Sequence, residues 1–466
     1  MSLPIPSTAI YRSRRILILY DHHWLHIKTI SDYLVSFRRY SSFEVYYATC
    51  FGPCYFDLNS FDAIVIHYSV KVCYPGYLSS SYERALRKTR SLKILFLQDE
   101  YEATNANRKA INDLGISQVF SCVPPSFIDI VYPKQQFPNT RFDSILTGYV
   151  PLDVAQSVHP IPMSERTTMI AYRGRNIGYW YGNLAREKYL IGKQMRYFCD
   201  QYGIKSDIEW EEDKRIYGDD WLTFLSRARA TLGTESGANV FDYDGSITLS
   251  IQRELLNNPT ISYEDVHAKY LKHTDGSIIM NQISPRIFEA IACRTVLILF
   301  EGSYSGIISP YQHFIPLKKD FSNIAEIFRL LHDCDYLESL ADRAFNHVIA
   351  SNRYSYQTFI ESFDQILLQH WRDRGQSITS AHNLTANWLP TPPCDTITFF
   401  RNSYIRTFQG PLLKRIWSSL PDRIKTALRP ILNRERWKNR WILLPDHIRN
   451  LLLPLLSKIR WILKAS

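Results

Sequence analysis

Along the first 150 residues, short apolar runs alternate with stretches that carry apolar positions every three or four residues. RILILY (15–20), EVYYATC (44–50), DAIVIHY (62–68), KILFLQ (93–98), SQVFSC (117–122) and SILTGYV (144–150) predict strands. The runs are continuous rather than alternating, the pattern of parallel strands buried on both faces. With helices between them they predict a doubly wound α/β domain over 1–155. Residues 151–166, PLDVAQSVHPIPMSER, are polar and Pro-containing and predict a linker. A second series follows over 166–371. TTMIAY (167–172), SDIEWEE (206–212), ARATLGT (228–234) and TVLILF (295–300) predict its strands. Helices are expected near 184–202, 219–227, 246–256, 285–293, 322–332, 335–350 and 356–371. Two Rossmann-like domains in tandem place a cleft between the carboxyl edges of two sheets, and ligands bind there.

Charge changes the picture at the C-terminus. The chain has 466 residues and a net charge of +10, but residues 401–466 hold 15 Lys/Arg and 3 Asp/Glu. The tail is therefore +12 and the rest −2. Residues 372–400 predict a second polar linker. In the tail, WSSLPDRIKTALRP (417–430) and WILLPDHIRNLLLP (441–454) repeat one design of short amphipathic helix, with Trp and Leu among the cations. Helices of this kind lie in the plane of an anionic membrane surface. They do not form the basic groove of a nucleic-acid binder, so no nucleic acid is expected. The opening MSLPIPSTAIYRSRR lacks a secretory apolar region, and no run of about 18 uncharged apolar residues occurs. The eight Cys include no CxxC pair, the pattern of reduced thiols. A cytoplasmic protein held peripherally on the inner face of the plasma membrane is expected.

Candidate chemistry gathers at the ends of predicted strands. No Gly-x-Gly-x-x-Gly follows the first strand and no Walker A motif occurs, which excludes the common dinucleotide and P-loop classes. His22, His23 and His26 follow the first strand with only Asp21 nearby. A loop lining the cleft is expected rather than a metal site, with His26 as a substrate contact. Asp242 and Asp244 in FDYDGS can share a hard cation or simply cap the helix that follows; capping is favoured. In AYRGRNIGYWYGNLAREK (171–188), Arg173, Arg175 and Lys188 suit a diphosphate. In LGTESGAN (232–239), Ser236 and Gly237 let backbone N–H groups approach a phosphate, and Glu235 is either a ligand contact or a strand-end carboxylate. ISPRIFEAIACRT (283–295) opens a helix with Ser284 as cap and Pro285 at its first position. Arg286 and Glu289 are i,i+3 neighbours there. They form either a surface salt bridge or a pair in which Arg286 and the helix N–H groups hold phosphate while Glu289 accepts from sugar hydroxyls. Asp99 and Glu100 in LQDEY (97–101) are candidates for a base facing the cleft, or carboxylates that open a helix.

SPRIFEAIACRTVLILFEGSYSGIISPYQHFIPLKKDFSN (284–323), together with YRGR (172–175) and LGTESGANVFDYDG (232–245), resembles the donor domain of GT-B glycosyltransferases, within them the subgroup of CgeB-like spore-maturation and bacterial family-1 enzymes. The resemblance is strongest over 166–371. It implies a transferase that moves a sugar from a nucleotide diphosphate on the second domain to an acceptor on the first, such as a bacterial surface glycan or a lipid-linked acceptor. Many members carry a Glu-x7-Glu pair. Glu289 matches the second acid, which contacts ribose, while Asn281 stands at the first, which contacts the donor sugar. Arg175 and Lys188 are matched to the diphosphate ligands. No metal and no other cofactor are implied. A nucleotide-sugar epimerase of the same architecture and a catalytically inactive nucleotide-binding scaffold are the alternatives.

Overall fold

The computed structural model describes residues 14–154 and 160–375, which form two parallel sheets. The first contains β1 Arg15–Tyr20, β2 Glu44–Thr49, β3 Ala63–Ile66, β4 Leu92–Phe96, β5 Gln118–Ser121 and β6 Arg141–Ser144, in the order β2-β1-β3-β4-β5-β6. The second contains β7 Thr168–Arg173, β8 Ser206–Glu209, β9 Ala228–Gly233, β10 Val296–Phe300 and β11 Ile315–Leu317, in the order β11-β10-β9-β7-β8. The α-helices of seven residues or more are α1 Lys28–Tyr40, α2 Ser80–Lys88, α3 Thr104–Leu114, α4 Pro125–Val131, α5 Gly182–Tyr202, α6 Asp219–Ser226, α7 Ser246–Asn257, α8 Pro285–Ala292, α9 Ile324–Leu331, α10 Cys334–Phe345 and α11 Tyr356–Asp373. They cover both faces of each sheet, as β1 shows: Ile16 and Ile18 enter one core with α1, while Leu17 and Leu19 enter the core on the opposite face. Strand order reverses at β1/β3 in the first sheet and at β7/β9 in the second. Such reversals open a crevice beyond the strands' carboxyl ends.

Two features join the sheets. First, α11, which the sequence places in the second domain, packs on the first. Its apolar stripe, Phe359, Ile360, Phe363, Leu367 and Trp371, lies in one core with Tyr33, Phe37, Phe96 and Phe120. The Asp364 carboxylate accepts from the Ser42 N–H at 2.7 Å and from the hydroxyls of Ser41 and Ser42. Second, a strap over 238–282 crosses from the second sheet and inserts Phe241, Ile278 and Met280 into the first sheet's other core. The Asp242 N–H donates to Tyr101 O at 2.9 Å, and the Asn105 N–H to Tyr243 O at 2.8 Å.

Two strands differ from expectation. β6 falls at Arg141–Ser144, before the apolar run at 144–150, because an edge strand with mostly exposed side chains carries no apolar signature. The apolar run instead turns inward, where Tyr149 is buried against Phe359. β11 spans only three residues, with Pro316 in its middle, too short to register as a periodic run. Among the described residues no helix is long and apolar enough to cross a membrane, and the seven cysteines are free. The tail at 401–466 and most of the linker at 372–400 lie outside the described residues.

Candidate functional site

The loop after β7 builds one wall of the crevice. Gly174 is forced by close packing: a Cβ there would lie 2.9 Å from Lys188 O and 2.8 Å from the Tyr172 ring. The Tyr172 hydroxyl also donates to Lys188 O at 2.8 Å, so the second turn of α5 is clamped against the strand end. Lys188 is thereby presented half-buried, and its ammonium makes no hydrogen bond or ion pair among the described residues. Burial holds its pKa down to about 8, and the neighbouring cations Arg286 and Arg175 push the same way; Asp99 across the crevice opposes them. Arg175 is exposed, 3.8 Å from Glu212. Arg286 is exposed at the start of α8, where its guanidinium donates to Arg173 O and lies 5.0 Å over the Trp221 ring. Three cations thus converge at one point of the crevice.

Arg173 is not part of that cluster. Its side chain turns back along the sheet, pairs with Asp207 at 2.7 Å, donates to Lys214 O and lies 4.3 Å over Phe224. β7 ends at Arg173, so Arg175, two residues on in the loop, is not held to the strand's two-residue period and goes elsewhere. The β9 loop is also corrected. Glu235 is buried and fully engaged: it accepts from the Ser303 N–H and hydroxyl at 3.1 Å, the Tyr304 N–H at 2.7 Å and the Asn281 amide at 2.6 Å. It fixes the loop after β10 rather than facing a ligand. Ser236 pairs its backbone with Gln282, at 2.7 Å and 2.8 Å. Gly237, at φ +105°, is there because a Cβ would meet Met280 O at 2.1 Å. Ser236 and Gly237 therefore receive the backbone of residues 280–282 in an isolated bridge, not a phosphate. Asn281 is spent as well, since its oxygen accepts from Asn239 at 2.8 Å.

Glu289 lies in α8, where Ser284 caps the helix by accepting from the Arg286 N–H and Pro285 occupies the first turn. The i,i+3 salt bridge is not formed. Glu289 is buried, and its Oε2 accepts from Trp221 Nε1 at 2.7 Å. Oε1 takes no donor among the described residues. Burial raises the Glu289 pKa above the ordinary 4.5, against the Trp221 hydrogen bond and Arg286, which lower it.

The first sheet supplies the facing wall. Beyond β4, Asp99 accepts from Lys71 Nζ at 2.9 Å and from the Tyr101 hydroxyl at 3.0 Å. Burial alone would raise Asp99, but Lys71 holds it below the ordinary carboxylate range. Lys71 also donates to Glu102, which receives the Tyr181 hydroxyl from the second sheet at 2.6 Å. His26 is exposed beyond β1. Its Nδ1 lies 3.0 Å from His23 O, and its ring meets Tyr217 of the second sheet edge-on at 6.2 Å. A carbonyl only accepts, so Nδ1 carries a proton, and in the neutral imidazole Nε2 holds the lone pair.

Glu100 turns the other way and is fully buried. It accepts from the Ser121 and Tyr132 hydroxyls at 2.6 and 2.9 Å and from the Cys122 N–H at 2.7 Å. Burial pushes its pKa up to about 7 despite those bonds. It is a core residue, not the base. Glu100→Ala is expected to destabilise the chain by roughly 3 kcal/mol or more, by orphaning these donors, with turnover per folded molecule unchanged. Urea denaturation beside an activity assay checks this; wild-type stability with lost turnover would restore a catalytic role.

Asp21, His22 and His23 bring three possible ligand atoms within 4.8 Å of one another. Asp21 Oδ1 accepts from the His23 N–H at 2.9 Å and lies 2.7 Å from His23 Nδ1, closing a one-turn cap. Asp242 accepts from Ile247 and Thr248 N–H groups, and Asp244 from the Ser246 N–H, so both cap α7. Lys71, Glu102, Tyr181 and Trp221 were not foreseen; only Lys71, a lone cation just after an apolar strand, left a trace in the sequence.

No family model matches the chain, and no curated protein does. It is similar to several solved structures. One is an alpha-glucosyltransferase in complex with UDP and a 13-mer DNA, at 10% identity and TM-score 0.47, covering 77% of this chain and 100% of that one. Another is sucrose-phosphate synthase from Thermosynechococcus elongatus, at 9% identity and TM-score 0.44, with the same coverage. A third is HepE from Anabaena in complex with UDP and glucose, at 10% identity and TM-score 0.44, covering 76% and 100%. By its own topology, with two doubly wound parallel sheets edge to edge across a crevice and a last helix returned to the first sheet, this chain has the GT-B fold.

Proposed function

We propose that the chain is a glycosyltransferase that takes a sugar from a nucleotide diphosphate held on the second sheet. The observation that carries this is the convergence of Lys188, Arg175 and Arg286 at the β7 edge of the crevice, with Lys188 left without an ion pair among the described residues. Like charges gathered in a half-buried site repel one another, and a bridging anion removes the repulsion. The same cations stabilise the negative charge that grows on the diphosphate as the bond to the sugar breaks. Glu289 Oε1 accepts a ribose hydroxyl. The acceptor enters from the first sheet, where His26 Nε2 and Asp99 are the groups able to take its hydroxyl proton; Lys71 holds Asp99 ionised. The test is release of nucleoside diphosphate from a panel of nucleotide-sugars, with and without acceptor glycans and lipid-linked sugars. Acceptor-dependent release is expected. An epimerised sugar formed without an acceptor would mean an epimerase, and binding with no release on any acceptor an inactive scaffold.

A glycan or lipid-linked acceptor, and a station at an anionic membrane through residues 401–466, fit the tail's composition of 15 cations among Trp and Leu. Each cation near an anionic leaflet contributes ~1 kcal/mol, and salt screens it. A chain ending at Phe400 is expected to stay folded and to lose sedimentation with anionic vesicles, whereas the full chain binds and is partly released at high salt. Equal sedimentation of the two would refute the membrane role.

A further inference from the structure

The nucleotide reading makes Glu289 the ribose contact but leaves open what holds a buried carboxylate, without an ion pair among the described residues, in a ligand-ready orientation. The residue that does so lies 68 positions away in sequence. Trp221, on α6, donates its indole N–H to Glu289 Oε2 at 2.7 Å. Its ring stacks on Phe224 at 5.6 Å and 24°, and the Arg286 guanidinium lies 5.0 Å over it. Below Phe224 lies the Arg173 guanidinium at 4.3 Å, itself anchored to Asp207. Arg286, Trp221, Phe224 and Arg173 thus form one column that ties α6 to the end of β7 and the start of α8. The column is closed on itself, since the Arg286 guanidinium also donates to Arg173 O.

Its chemistry is uneven in a useful way. The indole N–H takes one oxygen of Glu289 and leaves the other to accept. The indole face takes one side of the Arg286 guanidinium, while that group's remaining N–H donors keep their phosphate geometry. We propose that Trp221 is a positioning residue for a nucleoside diphosphate: its N–H fixes Glu289 so that Oε1 meets a ribose hydroxyl, and its face holds Arg286 for the phosphates. This rests on the nucleotide-binding reading above and adds a consequence to it. Discrimination between ribose and a sugar without its hydroxyls passes through Trp221.

The two roles separate by substitution. Trp221→Phe removes the N–H and keeps a ring for Arg286; Trp221→His keeps a ring N–H; Trp221→Ala removes both. The probes are UDP, GDP and ADP, their 2′,3′-dideoxy analogues and inorganic pyrophosphate, titrated into the full chain by calorimetry, with circular dichroism confirming the fold. Wild type is expected to bind one ribonucleotide about tenfold more tightly than its dideoxy analogue, the worth of a hydrogen bond to a charged group. Trp221→Phe is expected to lose most of that ratio while holding pyrophosphate as well as wild type. Trp221→His should recover part of the ratio, and Trp221→Ala should also weaken pyrophosphate. A merely structural tryptophan would weaken ribo- and dideoxynucleotide together and leave the ratio intact, which would overturn the proposal. It is equally overturned if wild type binds a nucleotide but does not discriminate. If wild type binds none of the three, the nucleotide reading itself fails, and that outcome is distinct from the others. Should Trp221→Phe not fold, the ratio in Trp221→His against wild type decides alone: a ratio below wild type but above one supports the role, and an unchanged ratio overturns it.

Discussion

Lys188→Met is expected to lose nucleoside diphosphate binding by about 100-fold or more and, at the same time, to melt at a higher temperature than wild type. Removing a desolvated charge partner typically costs ~2–5 kcal/mol of binding. The gain in stability follows from the pKa. A lysine held at about 8 rather than 10.5 is costly to keep charged in the folded state. The ceiling on that cost at pH 7 is on the order of 3 kcal/mol, and solvent near a half-buried group reduces it. The sign is definite. Between pH 8 and 10.5 the unfolded chain binds the proton and the folded chain does not, so wild-type stability rises with pH across that window. The advantage of the Met variant is therefore full below pH 8 and fades as pH approaches 10.5. Urea denaturation of both proteins at pH 7 and pH 10 reads this directly. Wild-type affinity for the diphosphate should itself fall above pH 8, as Lys188 loses its proton. A variant that is less stable and binds normally would make Lys188 an ordinary surface cation.

Glu289→Gln is expected to weaken the ribonucleotide by roughly ten- to a hundredfold, in line with the loss of a charged hydrogen-bond acceptor, while leaving the fold near wild-type stability. The amide keeps the shape and an oxygen for Trp221. It removes a charge that burial already disfavours, since the Glu289 pKa is raised. The raised pKa has a second consequence. As pH falls through it, wild type protonates Glu289 and loses the acceptor, so affinity declines on the acid side; Glu289→Gln has no such acid limb. Equal affinity of the two proteins from pH 5 to 8 would return Glu289 to a structural role.

Much of this architecture was visible in the sequence because burial on both faces writes an apolar run, as at Arg15–Tyr20 and Val296–Phe300. The polar edge strand at Arg141–Ser144 writes none. Helix α11 was recognised as a helix but assigned to the wrong sheet, because an apolar stripe specifies that it is buried and not against what. Residue types at strand ends were legible, but their directions were not. Asp99 and Glu100 are adjacent and chemically alike, yet one faces Lys71 and the other sits among Ser121, Tyr132 and Cys122. The same ambiguity misassigned Arg173 beside Arg175, and Glu235 was spent on a loop that lies nearly 70 residues later in the chain. Trp221 was invisible for a related reason. Its role exists only where α6 meets α8, and no local spacing encodes that meeting.

The measurement that bears most directly on the central claim is calorimetric titration of wild type and Lys188→Met with UDP, GDP and ADP at pH 7, in the presence and absence of pyrophosphate. The account predicts that one of the three binds wild type at a single site, that pyrophosphate competes with it, and that Lys188→Met binds neither measurably. Absence of binding by all three, or binding that Lys188→Met and pyrophosphate leave untouched, would contradict it.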